Sequence, residues 1–250
     1  MFEDGISEIP AKAMLGRHRL TSVEIPESVK RIGDWAFAGC SHLERVKMPP
    51  CELGKGVFRD CGALKCLDIG RGEDTAALLA EAARWDVQYL VEPGTAGSRE
   101  WFALWDSWLF RFLEEEDAEG YSGQVPCGEE DFGTSDAAAY ESGRRREKAR
   151  RCLLRLMHAE SLGEAEKKRL QNYVSEHTAG SPAGEEAWKL ILERYAEEEA
   201  WYAAFAEAGG VNEDNLEQIL EEIPESANRM KSFFLRREGG GRDPFAMLGI

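Results

Sequence analysis

Much that would mark a metalloprotein, a common enzyme class or a membrane protein is missing from this chain. Its six cysteines, Cys40, Cys51, Cys61, Cys66, Cys127 and Cys152, contain no C-x-x-C pair. That spacing gives no zinc-type ligand set, so they read as small, buried, reduced side chains. Histidine is scarce: His18, His42, His158 and His177 are scattered, with no H-x-x-x-H or H-E-x-x-H. The sequence also lacks G-x-x-x-x-G-K-[ST], G-x-S-x-G and G-x-G-x-x-G, which removes the usual phosphate-loop, hydrolase-elbow and dinucleotide signatures. No apolar run approaches the roughly 18–20 residues of a membrane span. The first twenty residues carry Glu3, Asp4, Glu8, Lys12, Arg17 and Arg19 and no apolar signal core. The expectation is a chain that starts in the cytoplasm, or one at the cell surface or secreted if a leader has been removed. No catalytic residue, cofactor or metal is expected.

Positive charge is also short. Lys and Arg number 31 against 47 Asp and Glu, a net charge of −16. The first 97 residues hold 15 acidic and 12 basic side chains; the remainder hold 32 and 19. The acidity therefore belongs to the C-terminal part, a surface that repels nucleic acid and anionic membrane. Neither is expected as a partner. The run Arg144-Arg145-Arg146 with Lys148, Arg150 and Arg151 looks like a nucleic-acid patch in isolation. Glu141 and Glu147 stand four residues before Arg145 and Arg151, which suits pairing along one helix.

What is present is a repeat. Leu20, Val23, Ile25 and Pro26 recur 23 residues later as Leu43, Val46, Met48 and Pro49, and Leu64, Leu67 and Ile69 follow after a further 21. Ile6, Ile9, Ala13, Met14 and Gly16 precede Val29, Ile32, Ala36, Phe37 and Gly39 by the same 23. A fixed period of this length marks a solenoid, whose turns bury apolar faces against their neighbours. Val23-Glu24-Ile25, Val46-Lys47-Met48 and Leu67-Asp68-Ile69 alternate as short strands do. Pro26 and Pro49 end them. Ile32-Gly33 and Leu53-Gly54 read as turns before the buried aromatics Phe37 and Phe58. The expected core columns are Val23/Val46/Leu67, Ile25/Met48/Ile69 and Phe37/Phe58.

The string IPESVKRIGDWAFAGCSHLERVKMP resembles the BspA-type leucine-rich repeat, at Val23, Ile25, Pro26, Val29, Ile32, Gly33, Ala36, Phe37, Gly39, Cys40 and Leu43. The next turn departs, with Val57 for Ala, Asp60 for Gly, and Pro50-Cys51 for a polar pair. The resemblance covers Ile6 to about Gly70. It implies a parallel-stranded solenoid used for protein recognition, often on bacterial surfaces, and brings no catalytic residues.

Asp74 to Trp85 changes to a helical period, with Leu78, Leu79, Ala82 and Trp85 on one face. Val87 to Val91 returns to strand character. Trp101, Trp105, Trp108 and Phe112 share a helical face, as a platform for sugars or peptide or as a cap on the solenoid. Gly120 to Asp136 has loop composition, and its Glu129, Glu130 and Asp131 lack the spacing of a calcium loop. Helical periods then continue, with Leu153, Leu154, Leu156 and Met157 as one inward face and Asn212 capping a later helix. The stretch from Gly209 to Leu216 is similar to the paired-helix, ankyrin-like regions that follow such repeats.

The reading is an α+β fold: residues 1–97 a leucine-rich-repeat solenoid, residues 98–250 an acidic α-helical domain. Its function is a non-catalytic protein-interaction or scaffolding module. A surface adhesin of the same repeat family, or a hydrolase in the helical part, are the alternatives. The candidate interaction surface is Ser22, Glu24, Arg45, Lys47 and Asp68 on the exposed strand face, where charges either neutralise one another or form a basic spot, with Phe2 and Ile6 at the N-terminal end. Under the 23-residue shift Phe2 aligns with Ile25, so that end is expected to be open. A homodimer or a partner covering it is one expectation; Met1–Asp4 folding back as a lid is the other.

Overall fold

The computed structural model describes residues 5–121 and 134–238. Phe2, Cys127, the acids Glu129 to Asp131 and the glycines near 240 lie outside the described residues. Two compact units emerge: Met1–Trp108 with His158–Ser161, and Leu109–Met157 with Leu162–Ile250.

In the first unit, six short strands form two parallel sheets. β2 (Ser22–Glu24), β4 (Arg45–Lys47) and β6 (Cys66–Asp68) make one sheet, with Val23, Val46 and Leu67 in register. β1 (Glu8–Ile9), β3 (Arg31–Ile32) and β5 (Glu52–Leu53) make the second, with Ile9, Ile32 and Leu53 in register. This corrects the turn reading of Ile32-Gly33 and Leu53-Gly54: the residues before each glycine are ladder rungs. The glycines remain necessary for a different reason. A Cβ on Gly33 would stand 2.5 Å from the backbone nitrogen of Ala11, and one on Gly54 would stand 2.7 Å from that of Asp34. Successive turns therefore pass too closely for any side chain there.

Between the sheets, amides of one turn donate to carbonyls of the next: Lys12 to Asp34, Met14 to Ala36, Phe37 to Val57. Phe37 and Phe58 are buried and stacked, ring centroids 5.5 Å apart. The thiols of Cys40 and Cys61 point back to the carbonyls of Met14 and Phe37, each at 3.2 Å. Asp60 follows Gly16 and Gly39 in the repeat and shares their positive φ (61° against 67° and 70°), which explains how Asp stands in for Gly.

α1 (Glu73–Arg84) packs on β6 and buries Leu78, Leu79 and Ala82. Trp85 departs from the expected inward face. The helix stops at Arg84, and Trp85, in the capping position, is 48% exposed. Val87 to Val91 forms a 3-10 turn at Gln88–Leu90 rather than a strand. α1 covers the β6 side of its sheet, so that edge gives the segment no rung to pair with. The N-terminal part of α2 (Arg99–Glu114) closes this unit. Trp101 and Trp105 are fully buried, and their indole N–H groups donate to the carbonyls of Leu90 (2.9 Å) and Leu78 (3.1 Å). Trp108 is only half-buried. Asp74 accepts from the Glu160 amide and pairs with His158 at 3.0 Å.

The second unit is helical: the end of α2, α3 (Thr134–Met157), α4 (Glu164–Glu176), α5 (Glu186–Arg194), α6 (Glu199–Glu207), α7 (Leu216–Glu222) and α8 (Asn228–Glu238). Its core holds Leu153, Leu170, Trp188, Ile191, Phe205 and Phe234. On α3 the buried face runs through Ala149, Cys152 and Leu153, while Leu154, Leu156 and Met157 are half-buried. The shift arises because Lys148, Arg151 and Arg155 point inward too. Lys148 meets Asp117 at 2.7 Å, Arg144 meets Glu115 at 2.6 Å, and Arg145 joins Asp117 to Glu186. Phe112 lies against the guanidinium groups of Arg151 and Arg144, at 4.0 and 4.6 Å from its ring centroid. Burial opposes ionisation of Asp117, but Lys148 and Arg145 outweigh it and hold its pKa below the usual carboxylate value. The basic run is thus internal wiring between helices more than the intrahelical pairing expected of it. Arg145 reaches Glu141 along the helix (3.8 Å), and Glu147 pairs with Arg150 and with Arg194. Asn212 accepts from the amides of Asp214 and Asn215 ahead of α7, while Asn215 is buried and bonds Thr178 and the Gly210 carbonyl.

Candidate interaction surface

The candidate residues of the first unit sit where the repeat places them. On the β2-β4-β6 sheet, Ser22, Arg45 and Cys66 form one outward column and Glu24, Lys47 and Asp68 the next. Ser22, Glu24, Arg45 and Lys47 are exposed, and Asp68 is half-buried. The residues between them, Val46 and Leu67, are sealed inside. This is strand alternation acting on stacked rungs about 4.8 Å apart. Lys47 donates to Glu24 at 2.6 Å, with 65% and 71% of the two side chains exposed. The hydrogen bond to Glu24 raises the pKa of Lys47. Such an exposed pair adds little stability, so its importance is in setting the charge pattern of the face. Asp68 turns to accept the Gly70 amide at 2.7 Å.

The second sheet carries a column that the sequence reading missed. Glu8, Arg31 and Glu52 are in register and exposed, again alternating in sign. The signal was available, because these residues obey the same shifts of 23 and 21.

The two ends of the β2-β4-β6 sheet differ. α1 covers β6, whereas among the described residues no strand pairs with the far side of β2. Val23 is consequently half-exposed, which corrects its placement in the sealed core; Ile25 stays buried. A groove of about 850 Å³ runs along this edge, lined by Gly5, Leu20, Val23, Ile25, Pro26 and Lys47 among others. Ile6 is half-buried and is not among the groove residues, and Phe2 lies outside the described residues. Two smaller hollows lie elsewhere in the unit, one at Arg59, Arg84 and Trp85 (about 570 Å³) and one at Lys30, Cys51 and Pro93 (about 500 Å³).

Among the described residues, Ser41 places a hydroxyl beside a base: its Oγ is 3.1 Å from Nδ1 of His18 and 3.2 Å from that of His42. The 23-residue shift aligns His18 with Ser41, so this contact too was legible. All three residues are exposed. Among the described residues, no third group holds either imidazole as a catalytic base requires. Among the described residues, no group of three or more His, Cys, Asp or Glu is placed to hold a metal ion, and no helix is long and apolar enough to cross a membrane.

The thiols offer a direct check on the fold. Burial pushes Cys61 up to about 12 and Cys51 up to about 11, and raises Cys40, Cys66 and Cys152. These groups stay protonated in the folded chain while the unfolded chain ionises at its ordinary value of 9.0. Stability from this source is therefore complete below pH 9 and is lost as pH climbs towards 12. Thiol titration at pH 8 should find Cys40, Cys51, Cys61 and Cys152 unreactive in the native protein and all six cysteines free after unfolding without reductant. Two thiols missing from the unfolded count would reveal a disulfide.

Residues 2–76 match the family model of the BspA type leucine-rich repeat region, in six copies. No curated protein matches the chain, and no solved structure does. The N-terminal part is thus a repeat region of that type, an architecture that serves in general as a protein-interaction module.

Proposed function

We propose, from the premise that residues 2–76 are a BspA-type leucine-rich repeat region, that this chain is a non-catalytic scaffold that recognises another protein through the outer face of its β2-β4-β6 sheet. The observation that carries this reading is the pairing of an inner column sealed at Val46 and Leu67 with in-register outward columns, exposed at Ser22/Arg45 and Glu24/Lys47 and half-buried at Asp68. A rigid face of this kind pays little entropy on binding, because the backbone is already ordered. Charge on it then selects the partner and steers encounter.

The test is capture from the native host with three baits: wild type, Arg45→Glu/Lys47→Glu, and Arg31→Glu on the other sheet. A partner held by wild type and Arg31→Glu should fall by about tenfold on the double variant, as expected when charge at an interface is reversed. Equal capture by all three would remove the face from the proposal. Screens on esters, phosphates and glycans should show no turnover; a rate lost with Ser41→Ala would overturn the non-catalytic reading.

A further inference from the structure

The edge of β2 with which no described strand pairs has a chemistry specific enough to name what fits it. The amide of Ile25 donates to Lys47 and the carbonyl of Thr21 accepts from Glu44, both at 2.8 Å. Thr21, Val23 and Ile25 therefore turn their backbone groups towards β4. Along a strand these directions alternate, so the N–H and C=O groups of Ser22 and Glu24 point the other way, into the groove. An exposed row of this kind is a template for one more strand.

The columns specify that strand's side chains. Continuing Val23/Val46/Leu67 and Ile25/Met48/Ile69 calls for two apolar residues facing in. The outward column between them reads Glu24, Lys47, Asp68, alternating in sign with Glu24 outermost. A cation comes next. Opposite charges directly across a ladder attract, and like charges repel, by similar amounts. Resting on the interaction-module reading, we infer that the β2 edge binds an extended segment of a partner protein with the pattern apolar–Lys/Arg–apolar, added in parallel as a further rung. Two copies of this chain joined edge to edge fit less well. A two-fold pairing centred on Val23 sets Glu24 opposite Ser22 and brings no second cation to either carboxylate, each of which keeps only the Lys47 of its own chain.

The experiment uses the full chain and two synthetic peptides, acetyl-Thr-Ser-Val-Lys-Ile-Thr-amide and its Lys→Glu counterpart. Binding is read by calorimetry, and amide exchange at Ser22 and Glu24 by NMR. The lysine peptide should bind at least about fivefold more tightly than the glutamate peptide. It should also slow exchange at those two amides. The exposed substitution Glu24→Lys should invert the preference. Equal binding of the two peptides, no binding, or an uninverted preference would each overturn the inference. Slow exchange at Ser22 and Glu24 without peptide, combined with a dimeric mass in light scattering, would assign the edge to a second copy instead. The same slow exchange in a monomer, abolished by deleting residues 1–4, would assign it to the chain's own N-terminus. If peptides fail while the Arg45/Lys47-dependent capture persists, only the edge assignment falls. If both fail, the interaction reading falls with it.

Discussion

Replacing Phe37 by Ala is expected to lower the unfolding free energy by about 3–5 kcal/mol, the range for emptying a buried aromatic site. Phe37 is fully buried and stacks on Phe58, with the ring planes 15° apart. Its removal leaves a void between stacked turns whose ladders hold them in place on both sides of Phe37, so the site can close only in part. A domain holds roughly 5–15 kcal/mol in total, so the variant should melt far below wild type or fail to fold. Phe37→Leu, which keeps most of the volume, should fall between the two. Leu15→Ala, at a side chain 49% exposed, should stay within about 0.5 kcal/mol of wild type. An unchanged melting temperature for Phe37→Ala would show that this ring is not the centre of the repeat core.

Trp105→Ala should be at least as damaging. The indole is fully buried and donates to the Leu78 carbonyl inside α1. Its loss removes the ring, at about 3–5 kcal/mol, and leaves that side of a buried carbonyl without its donor, at about 1–3 kcal/mol more. Trp105→Phe separates the two contributions, because it keeps an aromatic ring and deletes only the N–H. The same reasoning applies to truncation. Residues 1–97 lack both Trp101 and Trp105, so α1 and the Gln88–Leu90 turn would face water where two indoles now cover them. That fragment should be unfolded or aggregated by circular dichroism and light scattering. A soluble fragment with a cooperative melt would show that the solenoid needs no such cap.

The strands of the β2-β4-β6 sheet were legible because a fixed shift and a two-residue alternation act locally. Val46, Leu67, Ile25, Met48 and Ile69 are buried as that pattern demands. The second sheet was less visible: its rungs are two residues long, too short for alternation to register, and Gly33 and Gly54 suggested turns. The helical periods located most of the helices, but which residue of a helix faces in depends on where the helix stops. Trp85 shows this, since termination at Arg84 turns the ring outward.

By itself, the sequence determined the repeat, its family, the parallel strands and the helical character of the remainder, because periodic burial is written residue by residue. Only tertiary structure decided which polar groups meet across distance. The run at Arg144 to Arg151 reads as a basic surface until Glu115, Asp117 and Glu186 are brought to within 3.2 Å of its cations. Val23 reads as core until the stack is seen to have no described rung beyond β2. Charge pairing and edge exposure depend on which segments become neighbours, and a one-dimensional period carries no record of that.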